Sequence, residues 1–440
     1  MRKPLAPPEA TQLLAKTSPD RFPVIFQEGG ILVAGKYVHW DNLRHRQPPE
    51  GLTHEEWWLG VKMSRMGARE NLPLQDKAGL PFTLVYAPPV RQGLHQIDQR
   101  FGIRGQRSDV RDIVGGHGRQ YLLTNSILEE AITSSQLEGA STTRAGARHM
   151  IRGGRSPRSK DERMILNNYL AIRRIEDLAK RDLTDADVFS LHRRLTTGTL
   201  EDPGKAGVFR ESSDDIVVEL LHSHETAHVP PPPSELPERL DRLLEFANGN
   251  TPADWLHPVL RAIILHFMIG YDHPFVDGNG RLARALFYWA MVRYGYGLAQ
   301  YLSVSTILKQ APARYARAYL LTETDASDIT YFVDYHLQVV NRSIEALLDY
   351  VHRKTAEIQE LEQQLMRSRH LNNRQVRLLS HALRNPGFRY TVRSHETSNR
   401  ITANTARADL VDLAQQELLV WAKHGRRHEF IAPADLSELL

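Results

Sequence analysis

Apolar positions at helical spacing dominate the middle of the chain. Between about residues 120 and 350 they recur every three or four residues, which predicts helices over residues 121–138, 161–180, 185–196, 235–248, 257–271 and 281–294. A longer pattern predicts one extended helix over residues 333–368. Apolar runs at residues 31–34 and 82–86 favour strands, and residues 55–66 place Trp57, Trp58 and Val61 on one helical face. We therefore expect a mainly α protein.

Changes in this pattern predict four segments. Residues 1–105 mix strands with helix, which indicates a small α+β module, and residues 106–350 form a helical core interrupted by an irregular stretch at 204–233. Residues 351–370 are a helical linker. Residues 371–440 read as three helices, at 374–383, 394–399 and from 402 onward, followed by a hairpin. That order is typical of a winged helix, whose third helix reads DNA in many proteins.

Composition narrows the classes of protein. The chain has 440 residues, with 41% hydrophobic and 25% charged residues, as in ordinary globular proteins. It has no cysteine, so disulfides, thiolate nucleophiles and cysteine-ligated metals are excluded. The most apolar stretch, residues 259–271, is too short to cross a bilayer and contains Arg261 and His266. We expect a soluble cytoplasmic protein with no membrane partner.

The charge is distributed unevenly. The whole chain has a net charge of +4, whereas residues 374–429 carry ten Lys or Arg against five Asp or Glu. This basic region of 371–440 suggests a phosphate-bearing partner such as DNA. Winged helices that bind protein or pack internally are the alternative, which the sequence leaves open.

Residues 273–284 read His-Pro-Phe-Val-Asp-Gly-Asn-Gly-Arg-Leu-Ala-Arg. The turn Gly278-Asn279-Gly280 opens directly onto a predicted helix. Glycines let successive N–H groups point the same way, and a helix N-terminus adds free N–H groups with partial positive charge, which together suit a phosphate. Arg281 and Arg284 in the first turn oppose the helix dipole, and a polyanionic ligand would explain that conflict.

Two further side chains in this segment complete a reactive set. Asp277, next to the predicted phosphate nest, is suited to hold Mg²⁺ beside a triphosphate. His273, four residues upstream, can take a proton from an attacking hydroxyl when its imidazole is neutral. A base, a metal ligand, a nest and two arginines predict nucleotidyl or phosphoryl transfer.

The segment matches the Fic motif, His-x-Phe-x-(Asp/Glu)-Gly-Asn-Gly-Arg-x-x-Arg, at every fixed position, and the chain resembles the Fic/Doc family from about residue 120 to 350. The resemblance implies transfer of AMP from ATP to a Ser, Thr or Tyr hydroxyl of a target protein or of the chain itself. In that family His273 would be the base, Asp277 would bind Mg²⁺, residues 278–280 with Arg281 would surround the phosphates, and Arg284 would reach the γ-phosphate.

Other positions carry the resemblance further. Phe275 would anchor the loop in the core, residues 209–210 and 229–233 resemble the flap region, and Tyr315 resembles, more loosely, an aromatic residue near the adenine.

One alternative interpretation keeps the fold but changes the donor nucleotide or the transferred group. A DNA-binding regulator with a silent or sensing Fic core is the alternative from another class. The sequence leaves open whether the chain dimerises.

Ser134-Ser-Gln-Leu-Glu138-Gly139 resembles the family's inhibitory motif, (Ser/Thr)-x-x-x-Glu-(Gly/Asn), at the end of a helix predicted near 121–139. A carboxylate at a helix C-terminus opposes the dipole and is better tolerated when a cation faces it. The resemblance implies that this cation is Arg284, which would then be withheld from the γ-phosphate. In some relatives this glutamate also helps to remove AMP, so a reverse activity stays open.

His224-Glu-Thr-Ala-His228 fits the zinc-protease pattern His-Glu-x-x-His. That chemistry needs both histidines on one face of a helix. Val229 and four prolines follow at once, so a helix cannot continue. We interpret the segment as part of a flap, in which residues 213–221 would pair edge to edge with a target segment.

Overall fold

The computed structural model describes residues 2–101, 117–219, 225–251, 255–368, 370–424, 427–433 and 436–440. Its helices in the first half of the chain are Ala10–Lys16, Phe22–Glu28, Trp40–Leu43, His54–Met66, Pro88–Phe101, His117–Leu137, Arg144–Gly153, Lys160–Ile172, Ile175–Leu178 and Asp185–Thr196. Those in the second half are Leu236–Ala247, Pro258–Asp272, Asn279–Arg293, Val304–Gln310, Pro312–Thr324, Thr330–Arg367, Asn373–Arg384, Val392–Asn399, Ala403–Gln415 and Leu436–Leu439. The prediction of a mainly α protein is confirmed.

The strands are short and antiparallel. Arg69–Gln75 pairs with Pro81–Val85, and Val218–Glu219 pairs with Thr226–His228. A three-stranded sheet has Arg427–Ile431 between Arg389–Tyr390 and Val420–His424.

The chain divides into two compact units. One contains residues 1–105 and 127–344, and the other contains residues 106–126 and 345–440. The four-segment division drawn from the sequence remains a prediction. Among the residues that the structure describes, no helix is both long and apolar enough to cross a bilayer.

Two expectations about local structure are wrong. Residues 31–34 form no strand, because Ala34 and Gly35 have positive φ angles of 47° and 74° and turn the chain back, leaving a single bridge between Val33 and Lys36. Residues 161–180 form two helices instead of one, with an interruption at Arg173 and Arg174.

The N-terminal segment is joined to the core by buried polar contacts. The Tyr37 hydroxyl donates to Asp328 Oδ2 at 2.5 Å, and Lys62 Nζ pairs with Asp325 Oδ1 at 2.7 Å. The strand Pro81–Val85 contacts the turn that contains Ser327 and Asp328, since Thr83 N donates to the carbonyl of Ser327 at 3.1 Å. The turn includes Ala326 and Ser327 with positive φ angles of 54° and 57°, a conformation that costs energy for residues with a Cβ. These contacts therefore hold a strained turn in place.

The centre of the larger unit is a pair of buried helices, Pro258–Asp272 and Asn279–Arg293. Pro258 occupies the first turn of one helix, and the ring of His257 caps it by accepting from Val259 N at 3.2 Å. Both helices bury apolar side chains on nearly every face, and the first of them contains the most apolar stretch of the sequence, residues 259–271. The loop between them carries the motif.

The smaller unit has its own core, which includes Leu379, Leu410 and Phe430. The helices Asn373–Arg384, Val392–Asn399 and Ala403–Gln415 precede the hairpin strands. The predicted order of three helices and a hairpin is present, and the winged-helix assignment itself stays a prediction that rests on this order.

Candidate functional site

The motif loop is held between two left-handed residues. His273 ends the first helix with φ 45°, and Gly278 caps the second with φ 86°. The side chain of Asn279 bridges the loop, because its Oδ1 accepts from Phe275 N at 3.0 Å and its Nδ2 donates to Phe275 O at 2.8 Å. Phe275 itself is fully buried. The loop is thus fastened from inside, as expected for Phe275.

His192, on the helix Asp185–Thr196, fastens the loop from outside. Its Nε2 lies 2.8 Å from the carbonyl of Asp277, its Nδ1 accepts from Gly207 N at 2.9 Å, and its ring stacks on Phe275 at 3.8 Å. Burial lowers the pKa of His192 to about 4, so the ring is neutral and its Nε2–H donates. The sequence indicated no role for His192, since a histidine in an amphipathic helix has no signal of its own.

Arg210, which the sequence assigned to the flap region without a task of its own, is a second positioning residue. Its Nε donates to the carbonyl of His273 at 2.7 Å and its Nη2 to that of Pro231 at 2.5 Å. It thereby connects the predicted flap region to the motif loop.

His273 is neutral in this environment. Burial lowers its pKa to about 4, although a backbone contact with Gly270 and the charge of Glu138 both act to raise it. Nδ1 lies 3.3 Å from the carbonyl of Gly270. If Nδ1 carries the proton for that contact, Nε2 keeps a lone pair, which is the state a general base requires.

The N-terminus of the helix Asn279–Arg293 already faces a carboxylate. A Cβ placed on Gly280 would fall on Oε1 of Glu138, and one on Gly278 would come within 2.8 Å of Thr196 Cγ2. Both glycines therefore allow a close approach that a side chain would prevent. Glu138 follows the helix His117–Leu137 directly, and Gly139 turns the chain with φ 95°.

The two arginines of the motif are buried beside this carboxylate. Arg284 donates to Glu138 Oε1 at 2.8 Å, to Ser134 Oγ at 2.8 Å and to Ser134 O at 3.1 Å. Arg281 donates to Leu195 O at 3.0 Å. Among the residues that the structure describes, Arg284 Nη1 and Arg281 Nε have no hydrogen-bond partner. Buried donors without a partner are costly, and an anion in this space would satisfy them.

The pKa values of the ion pair agree with mutual stabilisation. Burial raises the pKa of Glu138, but Arg284 acts in the opposite direction together with Arg281 and His273, and the resulting pKa lies below the ordinary value. Burial likewise lowers the pKa of Arg284, but Glu138 acts in the opposite direction together with Tyr315 and Glu130, and the resulting pKa lies above the ordinary value. The Glu138 side chain keeps 27% of its surface exposed, whereas that of Arg284 keeps 2%.

Asp277 lies at the open edge of the nest. Its Oδ1 accepts from Gly278 N at 2.5 Å, its Oδ2 lies 3.5 Å from Arg281 Nη2, and 49% of the side chain is exposed. An exposed carboxylate beside an anion site has the oxygen chemistry that Mg²⁺ prefers, so the residues present fit this ion.

Tyr315 points its hydroxyl inward. The hydroxyl lies 2.7 Å from His266 Nε2 and 3.5 Å from that of Tyr319. Burial raises the pKa of Tyr315. A place near an adenine stays a prediction for this ring.

The segment around the zinc-like pattern is a strand. Thr226–His228 is extended, and His228 contacts Glu323 Oε2 and the carbonyl of Tyr271, each at 2.7 Å. His224 lies outside the described residues, and so do residues 220–223, of which 220 and 221 belong to the predicted flap segment 213–221. Within the described ranges no cluster of three metal-ligating side chains occurs.

The helical core and this loop-to-helix junction define a class of domain. Comparisons of the chain with known families, proteins and structures identify that class. The model of the Fic/DOC family matches residues 182–291. Proteins named protein adenylyltransferase Fic from Drosophila sechellia and Drosophila melanogaster are each 33% identical over 168 residues, which cover 36% of this chain and 31% of the relative. A crystal structure of a Fic family protein from Desulfovibrio desulfuricans has a TM-score of 0.51 and 17% identity, covering 78% of this chain and 96% of that one.

These matches show that the chain is a Fic-domain protein. The bacterial structure supports the fold alone, because its sequence identity is low. The chain matches about a third of the length of the curated relatives.

Proposed function

We propose that the chain transfers AMP from ATP to a hydroxyl of a target protein or of itself. The observation that carries this proposal is the junction at residues 273–284, where a neutral histidine lies beside an N-terminal nest and two buried arginines with unpaired N–H groups. The names of the similar proteins support the same reaction.

Each residue has a task that follows from its position. The N–H groups at the start of the helix Asn279–Arg293, together with Arg281 and Arg284, would bind the phosphates. Asp277 would hold Mg²⁺, which neutralises charge on the triphosphate when bound. His192 and Arg210 hold the loop that presents these groups.

The transfer step balances with these groups. The oxygen of the acceptor hydroxyl forms a bond to the α-phosphorus, and its proton goes to Nε2 of His273. The bond from the α-phosphorus to the bridging oxygen of the β-phosphate breaks, and pyrophosphate leaves. Positioning and charge stabilisation supply most of the rate enhancement in such reactions.

The surroundings of Asp277 are open enough for a protein acceptor. A cavity of about 470 Å³ is lined by Asp277, Val276, Ile216 and Lys205 among others. The nearby strand Val218–Glu219 has only one partner strand within the described residues. An extended acceptor segment would pair with this strand, so the flap would align the hydroxyl through backbone contacts.

We propose further that Glu138 restrains this activity. Its carboxylate lies in the space beside Gly280 and engages Arg284, so the arginine cannot also grip a γ-phosphate in a productive way. The resting enzyme is then complete in its residues but inhibited by its own helix.

The test is incubation with labelled ATP and Mg²⁺. We expect weak self-labelling of the wild type, strong labelling of Glu138→Gly and none of His273→Ala. Equal labelling of all three would contradict both the base and the inhibition. Parallel reactions with labelled GTP and CTP test the donor, and a chase with unlabelled wild-type enzyme tests AMP removal.

DNA binding by residues 371–440 is a second candidate function, and the distribution of basic side chains favours it. Arg374 and Arg389 are neutralised by Asp409 and Glu429. Three other arginines are exposed and have no ion pair within the described part of the chain. They lie on the second helix, on the third helix and between the two, and are Arg393, Arg407 and Arg400.

A mobility shift with duplex DNA at increasing salt tests this second function. We expect binding that weakens with salt and is lost in Arg400→Ala/Arg407→Ala, while Arg377→Ala on the first helix binds as the wild type. No shift at low salt would remove DNA as a partner.

A further inference from the structure

We infer that Glu130 is a positioning residue that anchors the inhibitory helix and so places Glu138 against Arg284. Glu130 lies on the helix His117–Leu137 and is 1% exposed. The inference rests on the proposed function, because inhibition by Glu138 is part of it.

The Glu130 carboxylate is bound by the segment that begins the helix Val304–Gln310. Oε2 accepts from Ser303 Oγ at 3.0 Å and from Ser305 N at 3.1 Å, while Oε1 accepts from Ser305 Oγ at 2.5 Å. Thr133 adds a contact to Ser303 Oγ at 3.3 Å. A buried carboxylate is tolerated only with such partners, so these bonds specify where the helix lies along its axis.

The same helical face carries the inhibitory contacts. Residues 130 and 134 are four positions apart on one face of this helix, and Glu138 follows directly after its last residue, Leu137. Ser134 and Glu138 both engage Arg284, and Glu130 engages Ser303 and Ser305. A shift by one residue moves a helix by about 1.5 Å, so losing the Glu130 anchor would misplace Glu138.

A carboxylate at this position is a poor choice for stability alone. Burial raises the pKa of Glu130, which shows that the surroundings penalise its charge. An apolar side chain of similar size would pack without that penalty. The directed hydrogen bonds of Glu130 therefore contribute position more than stability.

Self-labelling with ATP and Mg²⁺ tests the inference in four variants and the wild type. Glu130→Ala removes the charge-assisted hydrogen bonds that hold the helix, so it should label about tenfold more than the wild type. It should label less than Glu138→Gly, because the Glu138 carboxylate is still present. Glu130→Gln should stay near the wild type, since its carboxamide can accept from Ser305 N and donate to Ser305 Oγ. Glu130→Ala/Glu138→Gly should label no more than Glu138→Gly, because the anchor acts only through Glu138.

The outcomes separate the anchor from the reaction. Wild-type labelling by Glu130→Ala beside strong labelling by Glu138→Gly would overturn the anchor and leave the function intact. A further increase in the double variant would also overturn it, since Glu130 would then act independently of Glu138.

A measurement without catalysis covers the remaining cases. Backbone hydrogen exchange of residues 127–137 should be faster in Glu130→Ala than in Glu130→Gln. Equal exchange rates would overturn the anchoring role of Glu130. This result does not depend on catalysis, so it holds even if Glu138→Gly does not label and the proposed function fails. If Glu130→Ala does not fold, Ser303→Ala/Ser305→Ala removes the two hydroxyl donors and is expected to raise labelling in the same way.

Discussion

Gly280 and Glu138 share one space, because a Cβ on Gly280 would fall on Oε1 of Glu138. Gly280, at the N-terminus of the helix Asn279–Arg293, is thus the glycine against which the Glu138 carboxylate packs. In the proposed function, a phosphate of the substrate and the Glu138 carboxylate would therefore compete for the same opening.

A double-mutant cycle tests this shared space. Gly280→Ala should lower the free energy of unfolding in the wild type, since it displaces Glu138 from Arg284, and should cost less in a Glu138→Gly background. We expect a coupling of about 1–3 kcal/mol, measured by urea unfolding without ATP. Additive effects of the two substitutions would show that the residues do not compete. Gly297→Ala, at a glycine with open space around its Cβ position, is the matched control.

Arg284 should be needed by substrate as well as by inhibitor. Arg284→Gln in a Glu138→Gly background is expected to lower labelling by about 10²-fold, as a charge-assisted donor to the triphosphate is lost. The rate of single-turnover labelling at saturating ATP measures this effect. Unchanged labelling would mean that Arg284 serves only to hold Glu138.

His192 should matter through position alone. His192→Phe keeps a ring that can stack on Phe275 but removes the contacts to Asp277 O and Gly207 N. We expect kcat/KM of the Glu138→Gly enzyme to fall by about 10–100-fold, because a small displacement of the loop misaligns the reacting groups. His45→Phe, at an exposed histidine of the N-terminal segment, is the control and should leave kcat/KM unchanged.

The pH profile should report a neutral base. Because burial lowers the pKa of His273 to about 4, the imidazole stays unprotonated as pH falls through 6.5, and kcat/KM of Glu138→Gly should decline only as the pH approaches 4. Removing Glu138 takes away a charge that raises this pKa, so the variant should not shift the decline upward. A decline centred near pH 6.5 would contradict the assignment.

One neighbouring carboxyl must be separated from that profile. Burial raises the pKa of Asp272 to about 7 although Arg239 acts in the opposite direction. A transition near pH 7 that disappears in Asp272→Asn would belong to Asp272, and one that persists would belong to His273.

The N-terminal segment should stabilise the Fic domain. Tyr37→Phe leaves Asp328 without its hydroxyl donor, and we expect a loss of about 1–3 kcal/mol in the free energy of unfolding at pH 7. Tyr335→Phe is the control, since the Tyr335 hydroxyl makes no hydrogen bond to another described residue and its loss should cost less. Equal losses would show that the Asp328 contact is unimportant.

The motif and most helices could be predicted from the sequence because their signals are local. The helix Asp185–Thr196 begins and ends at the predicted residues, and at its start Thr184 forms a capping box with Asp187. The strand Arg69–Gln75 was not predicted, since it contains Pro73 and only two buried positions, and its pairing with Pro81–Val85 decides its structure.

By itself, the sequence determined the chemistry of residues 273–284, because base, carboxylate, glycines and arginines are adjacent in one loop and helix start. Only the tertiary structure decided which distant residues serve them. His192 and Arg210 contact the motif loop from other parts of the chain, and Glu130 binds Ser305 beside the helix that precedes Glu138. A buried polar side chain can be interpreted only when its partner is known. The approach of Glu138 to Gly280 likewise depends on how two helices pack, which no local pattern specifies.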